Sequence, residues 1–374
     1  MGAVRHLYVH LPFCAHRCGY CDFVTIVGRK GDHGRYADAL AAELRLEGES
    51  LGAQLDTVFL GGGTPTFTEP EALRGVLRML PPAKEVTVEA NPETVTPELS
   101  RFLREEGVTR VSLGAQSFRP HLLSVLERRA RPDDVRRAFY SLRDAEFDNI
   151  SLDLIYGIPG QSASDLEADI DEALALAPEH LSCYELEAKR GTRFTHAHGQ
   201  ELERQAEALE GYFERVVDRL TAEGYRWYET ANFCLRPDAD GGRDLRSQHN
   251  LAYWLGRDYL GLGIGAVSTV GGRRLRNTPR LPAYLEALER GETPAREVEE
   301  LGGDVLRRER LMLGLRLDEP LRLEPVADAI DPSALARLER LGLLSRPGGN
   351  GEVALTKRGR LLGGGVTAEL LAVN

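Results

Sequence analysis

Six short runs rich in β-branched and apolar residues recur along the first half of the chain, at residues 6–13, 57–61, 85–90, 110–115, 149–156 and 180–187. Between them, residues 36–51, 70–79, 97–106, 132–145 and 164–177 carry helical periodicity and helix-forming composition. Pro70, Pro97 and Pro132 open three of these segments; the first turn of a helix leaves N–H groups unbonded, so proline loses nothing there. Ser164 followed by Glu167 predicts a capping box for the fifth. Strand then helix, six times over, predicts a parallel sheet in an α/β fold, since parallel neighbours need a crossover and a helix supplies it. A closed barrel takes eight such units; six predict a partial (β/α)6 barrel with its site at the carboxyl ends of the strands.

The composition is that of a globular protein, 42% apolar and 28% charged. Against 47 basic side chains stand 58 acidic ones, a net charge of −11 with no basic block, which argues against a nucleic-acid partner. No apolar stretch approaches the ~18 residues of a membrane span, and the amino end lacks a secretory pattern, so a cytoplasmic protein is expected. After residue 187 the pattern changes. A helix around 201–223 precedes the aromatic stretch Tyr225-Arg226-Trp227-Tyr228-Glu229, a polar loop at 237–242 and a glycine-rich stretch at 261–265. Helices at 305–315 and 332–341 and a β piece at 353–355 follow. The expected division is a barrel domain over 1–225, an α+β region over 226–300 and a helical or winged-helix-like appendage over 301–374. His196 and His198 are expected in an exposed polar loop.

Polar residues collect where the expected strands end. The first runs into Cys14, which with Cys18 and Cys21 gives C-x3-C-x2-C. Three thiolates on one loop can face a common point, and soft sulfur selects zinc, copper(I) or an iron–sulfur cluster. Structural zinc would need a fourth ligand, for which His10 and His16 are near. A [4Fe–4S] cluster usually takes four cysteines, so three would leave one iron open to a ligand. Cys183, in an apolar run, reads as a small core residue; Cys234 follows Phe233 near the segment discussed below.

The cysteine loop, with Tyr20 before its third cysteine, resembles the signature loop of the radical S-adenosylmethionine (radical SAM) superfamily. The resemblance implies a [4Fe–4S] cluster on Cys14, Cys18 and Cys21, whose open iron binds SAM and whose electron cleaves it to a 5′-deoxyadenosyl radical. Gly61-Gly62-Gly63-Thr64-Pro65 can bring bare backbone close to the cofactor's amine, or it is simply a tight strand-to-helix turn. Glu89 suits a ribose hydroxyl or the sulfonium charge. Gln116, Arg128 and Asp153 complete the polar set, with Arg128 suited to a carboxylate. Tyr8, on the first strand, is expected to point into the same site. Each has a plainer reading as a core or ion-pair residue.

Leu7-Tyr8-Val9-His10-Leu11-Pro12-Phe13-Cys14, the glycine loop, Glu89-Ala90-Asn91-Pro92, Gly114-Ala115-Gln116-Ser117-Phe118 and the run Asp153 to Gln161 resemble the oxygen-independent coproporphyrinogen III oxidase group. That group contains the oxidase, which decarboxylates porphyrinogen propionates, and HemW-type haem chaperones. The oxidase pattern has a further cysteine two residues after the third, where this chain has Phe23, and a longer segment before its first, where this chain has thirteen residues. His249-Asn250-Leu251-Ala252-Tyr253-Trp254 matches the H-N-x-x-Y-W motif of the chaperone branch. Its implied roles are an axial haem ligand in His249 and flat faces for the macrocycle in Tyr253 and Trp254. The branch also implies haem-accepting respiratory proteins at the membrane as partners, and a homodimer.

Overall fold

The computed structural model describes residues 3–189, 193–237 and 242–371; the polar loop expected at 237–242 lies outside them except at its two ends. Six parallel strands follow one another in chain order: β1 (His6–Leu11), β2 (Leu55–Gly62), β3 (Ala83–Ala90), β4 (Arg110–Gln116), β5 (Ile150–Tyr156) and β6 (His180–Glu185). Each pairs in parallel with the next. Helices His33–Glu47, Pro70–Met79, Pro97–Glu105, Pro132–Asp144 and Ala163–Ala175 return the chain between them. This is the partial (β/α)6 barrel the sequence predicts.

The fifth helix starts earlier than expected. Its capping box is Ser162 with Asp165, not Ser164 with Glu167: the Ser162 hydroxyl accepts from the Asp165 N–H at 3.1 Å, and the Asp165 carboxylate accepts from the Ser162 N–H at 3.0 Å. Gly157 and Gly160, both at positive φ, turn the chain out of β5 and deliver it to Ser162.

The sheet continues past residue 225. β7 (Tyr225–Glu229) and β8 (Asn232–Leu235) extend one edge antiparallel, and β9 (Leu260–Leu262) lies parallel to β1 at the other, giving the order β9-β1-β2-β3-β4-β5-β6-β8-β7. Successive side chains on a strand face opposite ways. Leu7, Val9, Val58, Leu60, Val88, Val111, Leu113 and Leu152 belong to the main core. The alternate positions His6, Thr57, Ser112, Ser151, Asp153 and His180 hydrogen-bond across strands, so the other face is polar and serves the site.

Residues 303–371 form a second core around Leu311, Leu315, Val326, Leu338, Val353 and Val366. Helices Gly303–Gly314 and Pro332–Arg340 pack there with strands Leu321–Arg322, Leu344–Ser345 and Glu352–Leu355. This unit docks on β7. The Asp318 N–H donates to the Tyr228 carbonyl at 3.0 Å, Arg226 pairs with Asp318 at 2.7 Å, and Arg316 reaches buried Glu229 at 2.6 Å. His196 and His198 belong not to a loop but to the helix Arg193–Ala222, with the His198 ring 4.8 Å from that of Phe194.

Candidate functional site

Beyond β1 the chain makes a short parallel pairing, Phe13–Cys14 with Ile26–Val27, that pins both ends of the cysteine loop. The Ile26 N–H donates to Pro12 and the Gly28 N–H to Cys14, at 2.8 and 2.9 Å. Cys14 is buried; Cys18 and Cys21 are half-buried. All three line a cleft of about 1030 Å³ at the carboxyl ends of the strands. The Thr64 hydroxyl faces the Cys14 sulfur at 3.5 Å and Arg128 Nη1 faces the Cys18 sulfur at 3.8 Å, donors suited to thiolates. Burial pushes the free Cys14 thiol up to about 11 and also raises Cys21. Unliganded, these thiols are protonated; a bound metal removes the proton outright.

The two histidines near the loop are already engaged. Both ring nitrogens of His10 are occupied, Nδ1 by the Tyr8 hydroxyl at 2.9 Å and Nε2 by the Val24 carbonyl at 2.8 Å. His16 Nε2 donates to the Glu127 carbonyl at 2.8 Å. Among the described residues no three His, Cys, Asp or Glu side chains converge to hold one ion, as mononuclear zinc requires. A four-iron cluster takes each thiolate on a different iron, and the loop supplies three free cysteines.

Arg128 anchors the opposite side. Its Nη2 donates to Asn91 Oδ1 and to the Gly114 carbonyl, both at 2.9 Å, and Asn91 Nδ2 donates to the Thr64 hydroxyl at 2.9 Å. Arg128 Nε is buried with no acceptor among the described residues. Asn91 is thus a positioning residue that sequence reasoning did not single out; its one signal was its place in the Glu89-Ala90-Asn91-Pro92 run.

Protein atoms crowd each glycine of the loop. A Cβ at Gly61 would come within 2.8 Å of Glu89 Oε2, one at Gly62 would meet the His10 ring, and one at Gly63 would come within 2.5 Å of the Pro12 carbonyl. The tight-turn reading explains all three, and Gly62, Gly63 and Thr64 still line the cleft. Glu89 accepts from the Gly62 N–H at 3.1 Å; burial, then the Asp153 charge, push its carboxyl up to about 7. Asp153 accepts from Ser112 at 3.1 Å and is raised mainly by burial. Arg110, only 2% exposed, offsets the charge of both and of Glu85. A buried arginine inside a strand was not legible as a site residue.

Tyr20, Gln116, Glu89, Arg128 and Asp153 share the cleft with the cysteines. Tyr8, His249, Asn250 and Tyr253 line an inner cavity of about 220 Å³ that shares Gly62, Glu89 and Asp153 with it. His249 Nδ1 faces the Thr57 hydroxyl and Nε2 the Tyr253 hydroxyl, both at 2.8 Å. Trp254 lines neither space; Arg316 lies 4.4 Å over its ring. Phe23, 65% exposed, stands on the lip of both.

The radical SAM superfamily model matches residues 8–173. The chain is 38% identical to the haem chaperone HemW of Mycobacterium tuberculosis, over 98% of this chain and 94% of that one. It belongs to the HemW family of the radical SAM superfamily. With HemW of Bacillus subtilis it shares 34% identity over 98% of this chain and 99% of the relative. Escherichia coli HemN, a coproporphyrinogen III oxidase of solved structure, superposes with a TM-score of 0.78 at 23% identity, over 98% of this chain and 90% of that one, which shows a shared fold. Radical SAM membership implies a [4Fe–4S] cluster and SAM. In this chain the cysteine loop, Arg128 and the polar barrel interior share one cleft.

Proposed function

We propose that the chain is a haem carrier that holds a [4Fe–4S] cluster on Cys14, Cys18 and Cys21, binds SAM beside it, and passes haem to acceptor haem proteins. The similarity to proteins named haem chaperones, across nearly the whole length of each, carries this reading. Phe23 supports it from within the site: an apolar ring stands where the oxidase pattern has a cysteine.

The residues fit the cofactors. Arg128, with an unpartnered buried N–H beside the thiols, would take a carboxylate of SAM. Backbone carbonyls of the Gly61-Gly62-Gly63 loop would take its amine, and Glu89 a ribose hydroxyl or, when ionised, the sulfonium charge. The bound cluster supplies a low-potential electron. What the chain contributes is orientation. The Thr64–Asn91–Arg128 chain of hydrogen bonds fixes the guanidinium, and Arg110 steadies two carboxylates inside a barrel closed to bulk water on its helical side. The inner-cavity residues Tyr8, His249, Asn250 and Tyr253 stay part of the proposed cofactor surface, without requiring that His249 hold iron.

Respiratory haem proteins at the membrane are the proposed acceptors, with dimerisation linked to the cluster. No helix among the described residues is long and apolar enough to cross a membrane, so in this reading the acceptor supplies the membrane contact. The test is anaerobic. Reconstituted protein is incubated with SAM, reductant and coproporphyrinogen III, and separately titrated with haem and then mixed with an apo haem protein. Haem retained and then transferred, without porphyrinogen turnover, is expected; formation of protoporphyrinogen overturns the reading.

A further inference from the structure

The outer wall of the large cleft comes from the carboxyl-terminal unit, more than 200 residues away in sequence from the cysteine loop. Its lining side chains between residues 312 and 371 are apolar or small, Met312 and Leu315 among them, apart from two charges, Arg316 and Arg360. Arg316 already shares Glu229. Arg360 makes no ion pair among the described residues, and the Asp318 and Glu229 charges reach it only at a distance. Its Nη1 donates to the Trp227 carbonyl at 2.7 Å and its guanidinium lies 3.6 Å over the Trp227 ring, while Nε and Nη2 are buried with no acceptor among the described residues. Burial lowers its pKa to about 10. A buried cation with idle donors is costly until an anion arrives.

A second observation comes from glycine. The helix Gly363–Leu370 opens with three of them, and Gly363 and Gly364 line the cleft. None is at positive φ, and a Cβ at Gly364 or Gly365 would meet nothing within 4 Å, at Gly363 only Leu355 at 3.8 Å. Neither backbone nor packing requires glycine here, and glycine within a helix is destabilising relative to alanine. What it leaves is a bare, flat stretch of wall. Haem presents a broad apolar face with two carboxylates at one edge, and the inner cavity of about 220 Å³ is below the size of ordinary ligand pockets, whereas the cleft of about 1030 Å³ is not.

We propose that haem rests on this wall, its face against Met312, Leu315, Gly363 and Gly364 and a propionate on Arg360. The inference rests on the haem-carrier reading. The full chain is titrated with haem and with haem dimethyl ester, whose carboxylates are masked, and followed by absorbance. Arg360→Gln weakens haem binding about ten- to a hundredfold, as loss of a charge-assisted hydrogen bond does, and leaves the ester unaffected. Gly364→Leu weakens both ligands while keeping a Tm at or above that of the parent, because leucine is the better helix former. If the parent binds haem and both variants bind it equally well, the wall is overturned and the carrier reading stands. If the parent binds no haem, the carrier reading falls and the wall with it.

Discussion

The Tyr253 hydroxyl lies 2.8 Å from Nε2 of His249, and the Thr57 hydroxyl 2.8 Å from its Nδ1. Both nitrogens of this buried ring are therefore in use, and burial holds it neutral by lowering its pKa to about 3. Iron could reach it only by displacing Tyr253 or Thr57. His249→Ala is expected to cost about 2–4 kcal/mol of stability in denaturant titrations, from the lost ring and the stranded hydroxyls. Tyr253→Phe should leave haem affinity and the Soret maximum as they are. A His249→Ala chain of normal stability that loses haem would make His249 the ligand after all.

Glu89 gives the fold a pH signature. Unfolded, its carboxyl loses its proton near 4.5; folded, only near about 7. Between those values the folded state holds more protons, so this residue's contribution falls as pH rises from 4.5 to 7 and levels off above. The shift corresponds to about 3 kcal/mol at most. Glu89→Gln keeps an acceptor for the Gly62 N–H and has no proton to lose. It should be more stable than the parent at pH 8, with the gap closing toward pH 4.5. Buried His10, lowered to about 4, works in the opposite direction, losing stability as pH falls below 6.5. The difference between the two chains cancels that term. Equal melting curves at every pH would remove Glu89 from the account.

Arg128 and Cys18 meet at 3.8 Å but answer to different measurements. Arg128→Lys keeps the charge and loses the fork that holds Asn91 and the Gly114 carbonyl. SAM affinity should fall about tenfold or more by calorimetry, while iron and sulfide stay near about four each per chain. Cys18→Ser should fail on iron and sulfide content itself. A serine variant that kept a full cluster would contradict the three-thiolate loop.

The strands were legible because one face of each is apolar: Val58 and Leu60, or Val111 and Leu113, stand out at a period of two whatever lies between them. The cysteine loop was legible because its three thiols are local, within eight residues. The outer wall was not, since Arg316 and Arg360 come to share the cleft with the cysteine loop only through the docking of the carboxyl-terminal unit on Tyr228 and Glu229. Ser162 and Ser164 offer the same spacing to an acid three residues on, so sequence could not choose between them; the turn through Gly160 does. The His249 motif shows the remaining limit. Residue types suited to haem were visible, but not that their polar atoms already satisfy one another.

Two glycines, one in the loop and one in a helix, should behave oppositely. Gly63 lies where a Cβ would come within 2.5 Å of the Pro12 backbone, which cannot move without unpinning the cysteine loop. Gly75 lies exposed within the helix Pro70–Met79, at ordinary φ, with nothing within 4 Å of its Cβ position. Gly75→Ala should raise stability by about 1 kcal/mol through helix propensity alone. Gly63→Ala should lower it by about 1–3 kcal/mol, the range for overpacking, and reduce iron content after reconstitution, because the displaced backbone carries Cys14. Thermal melts of the two variants beside the parent decide it. A Gly63→Ala chain that melts like the parent and fills its cluster would show that the loop has slack, and that its glycines serve the ligand instead.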